Sequence, residues 1–249
     1  MYLLEVDRIK KNSEGKTLIN GLSFNVSEKG VYGVLGKANS GKTVLAEILA
    51  GACRIDEGSV SYKEQKLYES EKQSADIKKK IGYVASSCFF DRDITVFEAI
   101  DLLGKSKSID PDKRFRQIKE ALELTGLSLR TETLIGELVP NERKRLMLAA
   151  SLLGNPDVII MDEPLRGFEK KQAEDIKNII SMLGRKKLVI MFSSRPDEIE
   201  ELCANIAILH EGQIVAEYEK EALLTIIREN GLGSIANVLD ALTEDKEEK

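Results

Sequence analysis

Short apolar runs alternate with segments of helical periodicity along most of the chain. Runs of four or five residues that suit strands buried on both faces of a parallel sheet occur at 31–35, 81–84, 158–161 and 188–192. Apolar residues recur at helical spacing at 44–50 and 171–183. This alternation of strands and helices predicts an α/β fold with a mostly parallel sheet.

Weaker alternation of apolar and polar residues near both ends predicts antiparallel strands. The segments are 2–6, 18–26, a short edge strand at 58–62, and a hairpin formed by 206–209 and 213–217. A turn is predicted at 12–16, and the polar stretch 63–80 is predicted to be an exposed loop with some helix. We therefore expect an antiparallel β edge beside the parallel sheet.

The middle of the chain has a different pattern. Helical periodicity at 96–104, 114–125 and 141–153 predicts an α-helical subdomain inserted at about residues 85–152. The pattern becomes helical again from residue 221, and the charged end at 244–249 is predicted to be disordered. Residues 1–220 are thus expected to form one domain, followed by a helical tail at 221–249.

Composition narrows the possible functions. The 249 residues are 42% hydrophobic, which is enough for a sizeable core. The net charge of −5 gives no sign of a nucleic-acid surface. Three cysteines without a C-x-x-C pattern indicate reduced thiols in a cytoplasmic protein, and a single histidine excludes a histidine-based metal site. No apolar run approaches the ~20 residues that span a bilayer, so a role at a membrane would need a partner.

One segment carries recognisable phosphate-binding chemistry. Residues 36–43 read GKANSGKT, which fits G-x-x-x-x-G-K-[ST], and they lie between a predicted strand and a predicted helix. The glycines let backbone N–H groups approach phosphate oxygens, and the helix N-terminus adds a positive dipole. Lys42 is expected to reach the β- and γ-phosphates, and the Thr43 hydroxyl to hold Mg²⁺. The predicted nucleotide-binding residues are Gly36, Lys37, Ala38, Asn39, Ser40, Gly41, Lys42 and Thr43.

A second part of the same site is predicted at the end of another strand. The apolar run 158–161 ends in Asp162 and Glu163. At the carboxyl end of a buried strand, Asp162 is positioned to hold Mg²⁺ directly or through water. Glu163 can polarise an attacking water, which makes it the predicted catalytic residue.

These motifs, in this order, are similar to the ATP-binding subunit of ABC transporters. Leu4-Glu5-Val6, Ile81-Gly82-Tyr83-Val84 and 207–212 also look like stretches of that family, and 231–239 resembles the C-terminal segment of ABC-2-type exporter subunits. The resemblance covers nearly the whole chain. It implies a RecA-like P-loop NTPase core that binds ATP and Mg²⁺. It also implies an integral membrane transporter subunit and a second ATP-binding subunit as partners, at the inner face of the cell membrane.

One departure concerns the surface that faces the second subunit. In the family, each ATP lies between the P-loop of one subunit and a Leu-Ser-Gly-Gly-Gln signature of the other. At the matching place, 138–142, this chain reads LVPNE. Val139 lacks the serine hydroxyl, Pro140 has no N–H to donate, and Glu142 adds a negative charge. The resemblance therefore implies an impaired signature.

Other departures affect the chain's own ATP. The family's Pro-Gln after the strand at 81–84 is replaced by Ala85-Ser86. Ser194 or Arg195, depending on a one-residue gap, takes the place of the switch histidine. The aromatic residue that stacks on adenine, expected near residues 12–13, is missing. Because each lost charge-stabilising donor costs about 10²–10³ in rate, we expect hydrolysis that is weak or dependent on a partner.

The sequence leaves two functions open. The chain either drives transport as the ATP-binding subunit of an ABC transporter, or serves as a catalytically impaired, regulatory half of a heterodimeric ATPase pair. A heterodimer is favoured over a homodimer, because a homodimer would present 138–142 to both nucleotides. Soluble ABC proteins of translation or DNA repair usually show duplicated domains or a long coiled coil, and the sequence has neither. Phe89 and Phe90 are predicted to dock the membrane subunit, with burial in the helical insertion left as the alternative.

Overall fold

The computed structural model of the protein describes residues 2–244. Its strands are β1 (Leu4–Ser13), β2 (Lys16–Val26), β3 (Gly30–Leu35), β4 (Glu57–Tyr62), β5 (Gln65–Lys66), β6 (Ile81–Val84), β7 (Val158–Asp162), β8 (Leu188–Ser193), β9 (Asn205–His210) and β10 (Gln213–Glu219). Its helices are α1 (Lys42–Leu49), α2 (Glu71–Lys79), α3 (Val96–Ser106), α4 (Pro111–Leu124), α5 (Pro140–Ser151), α6 (Lys170–Gly184), α7 (Pro196–Leu202), α8 (Lys220–Glu229) and α9 (Ile235–Thr243). Of the end predicted to be disordered, residues 245–249 lie outside the described part.

A six-stranded sheet forms the centre of the molecule and confirms the predicted fold class. Its order is β10-β9-β3-β8-β7-β6, and all neighbours are parallel except β10 and β9. Every residue of β7 and β8 is buried, as their uninterrupted apolar sequences predict. Helices cover both faces, so the carboxyl ends of the parallel strands remain the place where loops can build a site.

The predicted antiparallel edge is a separate four-stranded sheet with the order β2-β1-β4-β5. Two details of the prediction are wrong. The turn between β1 and β2 is confined to Glu14 and Gly15, because both strands extend further than their apolar alternation. The strand predicted at the edge, β4, pairs with β1 on one side and with β5 on the other.

The segment 63–80, predicted as an exposed loop with some helix, contains helix α2 as expected and also the short strand β5, which was not predicted. The two residues of β5 are exposed and polar, so no apolar pattern marks them. Helix α2 begins at a serine cap, where the Ser70 Oγ accepts a hydrogen bond from the Gln73 N–H at 3.3 Å. Only Ile77 of this helix is buried, which explains why periodicity did not reveal its limits.

Helices α3, α4 and α5 lie between β6 and β7 and pack around an apolar cluster that includes Ile100, Ile118 and Leu146. Helix α3 starts with a reciprocal cap in which Thr95 and Glu98 each bind the other's backbone N–H. Phe90 and Leu152 pack against both this cluster and the cluster of the central sheet. The exact limits proposed for an inserted subdomain, about 85–152, stay a prediction.

The last two helices pack onto the central sheet. Leu223, Ile227, Ile235 and Leu239 belong to the same buried cluster as residues of β3, β7 and β8. A division between residues 220 and 221 therefore stays a prediction. Helix α7 was not predicted; it is short, begins with proline at its first position, and contributes the fully buried Ile199. Within residues 2–244, no helix is both long enough and apolar enough to cross a membrane.

Candidate nucleotide-binding site

The carboxyl ends of β3, β7 and β8 meet at one edge of the central sheet. There the loop after β3, Glu163 directly after β7 and the loop after β8 surround a cleft of about 670 Å³. Its lining residues are Leu18, Ala38, Asn39, Gly41, Lys42, Thr43, Val44, Ser86, Glu163, Arg166, Ser194 and Arg195. The fold thus brings both sequence motifs to the same cleft.

The loop at 36–43 needs its two outer glycines for physical reasons. A Cβ on Gly36 would lie 2.6 Å from the Leu209 carbonyl oxygen and would also overlap Ser40. Gly41 caps α1 with φ of 103°, a conformation that other residues rarely adopt. The loop therefore leads directly into the N-terminus of α1, where free backbone N–H groups and the helix dipole favour an anion.

Lys42 is held inside this loop. Its Nζ donates hydrogen bonds to the carbonyl oxygens of Gly36 and Lys37, both at 2.8 Å. The Glu163 Oε1 lies 4.0 Å from the same Nζ. Burial lowers the pKa of Lys42, and the nearby carboxylates of Glu163 and Asp162 oppose that effect. The ammonium is thus fixed at the base of the cleft.

Thr43 and Asp162 form the contact that joins the two motifs. The Thr43 Oγ1 donates to the Asp162 Oδ2 at 2.9 Å. Asp162 is 1% exposed, and its Oδ1 accepts no hydrogen bond within the described residues. An unsatisfied buried carboxylate oxygen is costly, and a hydroxyl beside a carboxylate is a donor set that suits Mg²⁺.

Mg²⁺ at a phosphate site usually needs only one or two protein carboxylates, because phosphate oxygens and water complete its shell. The pair formed by Thr43 and Asp162 meets that requirement. Among residues 2–244 there is no group of three or more His, Cys, Asp or Glu side chains that could hold a metal by itself. The residues present therefore fit a cation that arrives together with a nucleotide.

Glu163 is fixed at the cleft by its backbone. Its φ of 49° is unusual for a glutamate. Its N–H donates to the Phe192 carbonyl at 2.9 Å, and its own carbonyl accepts from the Lys144 Nζ at 2.9 Å. Two hydrogen bonds thus hold a strained backbone in place, as is common where a side chain must be oriented. The side chain, 11% exposed, faces Lys42 and the cleft.

Three features of this region were not predicted from the sequence. Lys144, in the basic run after the altered signature, anchors the backbone of Glu163. Arg166 lines the cleft next to that glutamate. Lys37 of the phosphate loop pairs with Asp240 of α9 at 2.8 Å, which ties the loop to the C-terminal helix. Contacts between residues so distant in sequence cannot be inferred from local patterns.

The cleft differs from the family pattern in the ways that the sequence indicated. Ser86 lines it in the position after β6, and both Ser194 and Arg195 line it after β8. Leu18, Ala38 and Val44 are its apolar members, and none of its described lining residues is aromatic. Any adenine contact by these residues would therefore be aliphatic.

Residues 138–142 do not line this cleft; they form the start of α5. The Val139 N–H donates to the Glu142 Oε2 at 3.1 Å, and Pro140 has no N–H. The other carboxylate oxygen, Glu142 Oε1, pairs with the Arg130 Nε at 2.9 Å. The Glu142 carboxylate thus caps its own helix, and its effect on a partner's nucleotide stays a prediction.

Comparisons with known proteins agree with this geometry. Residues 19–166 match the family described as ABC transporter. The Nod factor export ATP-binding protein I of Paraburkholderia xenovorans is 28% identical over 222 residues, covering 89% of this chain and 72% of that protein. The linearmycin resistance ATP-binding protein of Bacillus subtilis is 26% identical over 215 residues, covering 86% and 68%.

Solved structures show the same fold. An ATP-binding subunit of an ABC transporter has a TM-score of 0.84 at 18% identity, covering 97% of this chain and all of that one. A dimeric ATP-binding cassette in a post-hydrolysis state, bound to ADP and phosphate, has a TM-score of 0.80 at 20% identity, covering 87% and 98%. ABC ATPase domains bind and hydrolyse ATP. Since the family match spans more than half of the chain, this protein belongs to the ABC transporter family, as an ATP-binding subunit.

Proposed function

We propose that this chain binds MgATP in the cleft at the carboxyl ends of β3, β7 and β8, and that nucleotide binding drives or regulates transport through a separate membrane subunit. The observation that carries the proposal is the hydrogen bond between Thr43 and Asp162. It joins the phosphate loop to a buried carboxylate whose second oxygen accepts no hydrogen bond within the described residues. This is the arrangement that a nucleotide-bound cation requires.

Each residue of the motif has a role that its position supports. The backbone N–H groups of Lys37, Ala38, Asn39 and Gly41 would cradle the phosphates at the N-terminus of α1. Those of Gly36 and Ser40 donate to carbonyl oxygens at 3.3 Å, so these two residues would shape the loop. Lys42 would exchange its two carbonyl partners for β- and γ-phosphate oxygens, which are stronger acceptors for an ammonium. Thr43 and Asp162 would hold Mg²⁺, which neutralises phosphate charge when bound.

Glu163 is the residue we assign to hydrolysis. It would accept a hydrogen bond from the attacking water and orient it toward the terminal phosphate. The bonds to Phe192 and Lys144 fix its backbone. Ser86 is too short to bind both the metal and the water, so the chain lacks a second group to orient the nucleophile. We therefore propose slow hydrolysis, or hydrolysis that depends on a partner.

We also propose that the chain pairs with a different ATP-binding subunit. The start of α5, which would face the partner's nucleotide, offers fewer N–H donors than a normal helix N-terminus. Pro140 has none, and the Val139 N–H is already bound by the Glu142 carboxylate. That carboxylate occupies the place where an anion would bind, so a homodimer would impair both of its sites.

Nucleotide binding is tested by titration calorimetry with Lys42→Ala. The wild-type chain should bind MgATP, and Lys42→Ala should lose most of the affinity. Lys16→Ala is the matched control, since Lys16 is an exposed lysine at the start of β2. If Lys42→Ala binds MgATP as tightly as the control does, the assignment of the nucleotide site is wrong.

Hydrolysis is tested by phosphate release from the chain alone and from a mixture with a subunit that has an intact signature. The chain alone should be slow, and the mixture should turn over faster. Glu163→Gln should abolish the activity of the mixture, whereas Glu169→Gln, a nearby exposed acid, should not. Turnover of about 1 s⁻¹ or more by the lone chain, lost in Glu163→Gln, would show a competent homodimer instead.

We propose that the complex is an exporter and that this subunit lies on the cytoplasmic face of the membrane. One of the relatives is named for Nod factor export and another for linearmycin resistance, which supports outward transport. A groove of about 330 Å³ between α2, β6, α3 and α5 could receive the membrane subunit. Phe89 borders this groove and is 61% exposed, whereas Phe90 is half-buried between two apolar clusters.

The different exposure of Phe89 and Phe90 decides which substitution can test docking. Phe90→Asp would disturb the fold, so Phe89→Asp is the informative variant. It should prevent co-purification with the membrane subunit and leave the melting temperature of the isolated chain unchanged. Leu129→Asp, at a side chain that is 98% exposed elsewhere, is the control. Co-purification that survives Phe89→Asp would place the docking surface elsewhere.

A further inference from the structure

A second cleft lies at the edge of the central sheet opposite the nucleotide cleft. Strands β3, β8 and β7 are neighbours, and their parallel register aligns their first residues with one another. The residues directly before these strands are Lys29, Lys187 and Asp157, so all three are brought to the same amino-terminal edge. Strand β8 has six residues, and at about 3.3 Å per residue it separates the two edges by roughly 20 Å.

This second cleft has a volume of about 370 Å³ and carries an excess of positive charge. Its apolar lining residues are Leu3, Pro156 and Val158. The charged residues of its lining are four lysines and one acid: Lys29, Lys63, Lys186, Lys187 and Asp157. The local charge is therefore opposite in sign to the net charge of −5 of the whole chain.

Only one of the four lysines has an acidic partner. The Lys63 Nζ lies 2.7 Å from the Asp157 Oδ2, and no other residue of the cleft forms an ion pair within residues 2–244. The hydrogen bond from Lys63 lowers the pKa of Asp157, and the charges of Lys80 and Lys187 act in the same direction, whereas burial opposes them. The single carboxylate is thus already surrounded by cations and cannot compensate the other lysines.

Lys187 is the half-buried lysine of the cleft. Its Nζ donates to the Asn155 Oδ1 and to the Pro156 carbonyl oxygen, both at 2.6 Å. An ammonium has three N–H donors, so one remains for a ligand. Burial lowers the pKa of Lys187, the carboxylate of the cleft opposes that effect, and the charges of Lys186 and Lys29 add to it. The lysines are thus close enough to destabilise one another.

The end of α6 explains part of this charge. The helix ends at Gly184, close in sequence to Lys186 and Lys187, and a helix C-terminus favours cations because it carries roughly half a negative charge. Half a charge does not compensate three lysines without an acidic partner. Lys29, moreover, belongs to the connection between β2 and β3 and not to a helix end. A bound anion would remove the remaining repulsion.

We propose that this second cleft binds a small molecule that carries phosphate groups. A phosphate group has about two negative charges and three strong acceptor oxygens, and lysine binds it as a point charge. The volume lies in the range of small-molecule sites, where apolar residues accompany a few charged ones. A flat membrane surface would contact the exposed lysines without reaching Lys187. This cleft and the nucleotide cleft share no lining residue, so the two sites are independent.

Calorimetry with inorganic pyrophosphate in Mg²⁺-free buffer tests the second cleft on the full chain. Because the phosphate loop would bind the same probe, the wild type and Lys42→Ala are measured in parallel. We expect Lys42→Ala to retain one binding event, at the second cleft. In the Lys42→Ala chain, Lys29→Gln combined with Lys186→Gln should weaken that event about tenfold or more, because two charged donors are lost. Both side chains are exposed, so the melting temperature should not fall.

Lys16→Gln combined with Lys113→Gln is the matched control. It removes the same charge from two exposed lysines outside the cleft and should leave the affinity within about twofold. Loss of all pyrophosphate binding in Lys42→Ala, or equal weakening by the two double variants, would overturn the assignment of the second cleft.

Vesicles that contain phosphatidylglycerol separate a small ligand from a membrane. If vesicles bind through Lys29 and Lys186 and pyrophosphate does not, these lysines contact a membrane surface and the small-molecule site is wrong. If the wild type does not bind MgATP but the pyrophosphate event behaves as expected, only the proposed function fails.

Discussion

Gly82, within β6, is a position where a single methyl group should have a large structural effect. A Cβ there would overlap the Ser151 carbonyl oxygen at the end of α5, and would lie 3.1 Å from the Ser151 carbonyl carbon and 3.3 Å from the Pro156 Cγ. These atoms belong to a helix end and to a proline ring, which have no alternative rotamers. Gly82→Ala must therefore move α5 away from the central sheet.

The loss of stability in Gly82→Ala follows from the overlap of its Cβ with α5. Relief of the overlap requires a shift of about an ångström, and overpacking of a well-packed core costs about 1–3 kcal/mol. Because the clash is with backbone, we expect a value near the upper end, about 3 kcal/mol. For a chain of this size, each kcal/mol lowers the melting temperature by about 2–4 °C. Gly82→Ala should therefore melt roughly 6–12 °C below the wild type.

Thermal and urea unfolding followed by circular dichroism measure this effect. Gly136→Ala is the matched control, because its φ is not in the left-handed region and the nearest atom to its Cβ would be the Arg92 carbonyl oxygen at 3.1 Å. Alanine in place of glycine stabilises a protein by about 0.4–1 kcal/mol where the backbone conformation suits it, which offsets the small shift of the neighbour. Gly136→Ala should thus stay within about 1 kcal/mol of the wild type. A Gly82→Ala protein as stable as this control would refute the idea that β6 and α5 need a glycine between them.

Three further changes test other local contacts. Thr95→Ala removes the cap of α3 and should cost about 0.5–2 kcal/mol in urea unfolding; no loss would show that Glu98 caps the helix alone. Tyr62→Phe removes the buried hydroxyl that donates to the Leu49 carbonyl at 2.8 Å, and a cost of about 1–2 kcal/mol is expected; an unchanged urea midpoint would contradict it. Burial raises the pKa of Cys203 to about 12. At pH 8 a disulfide reagent should therefore modify the partly exposed thiols of Cys53 and Cys88 quickly, and Cys203 only on unfolding. Fast modification of all three thiols would contradict this.

The elements that the sequence predicted well are those whose own residues carry the signal. Strands β3, β6, β7 and β8 are buried on both faces and thus appear as apolar runs. The residues of β5 and α2 are mostly exposed, and those elements exist because neighbours support them: β5 pairs with β4, and α2 begins at Ser70. Support from neighbouring strands has no local pattern, which is why β5 was not predicted and why the helix expected within 63–80 was given no limits.

The candidate site likewise contains residues that sequence motifs predict and contacts that only tertiary packing creates. The sequence places Lys42, Thr43, Asp162 and Glu163 in one cleft because their motifs follow strands of a parallel sheet, whose carboxyl ends share an edge. It does not reveal the bond from Lys144 to the Glu163 backbone or the ion pair between Lys37 and α9. Those contacts depend on how the helices pack against the sheet. Local sequence patterns do not predict that packing.

A paired ATPase uses one surface for its own nucleotide and another for the partner's nucleotide. In this chain the two surfaces differ in the backbone donors that they leave free. The surface toward its own nucleotide has free donors at the N-terminus of α1 and a buried Asp162 oxygen without a partner in the described residues. The surface at the start of α5 already binds its own anion, because Glu142 accepts from the Val139 N–H and pairs with Arg130. A phosphate there would have to displace a carboxylate and would still meet a proline. A second copy of this chain would bring that blocked surface to every nucleotide. A partner with a free helix N-terminus would instead supply the missing signature donors to this chain's own nucleotide, and this asymmetry is the physical basis for proposing a heterodimer.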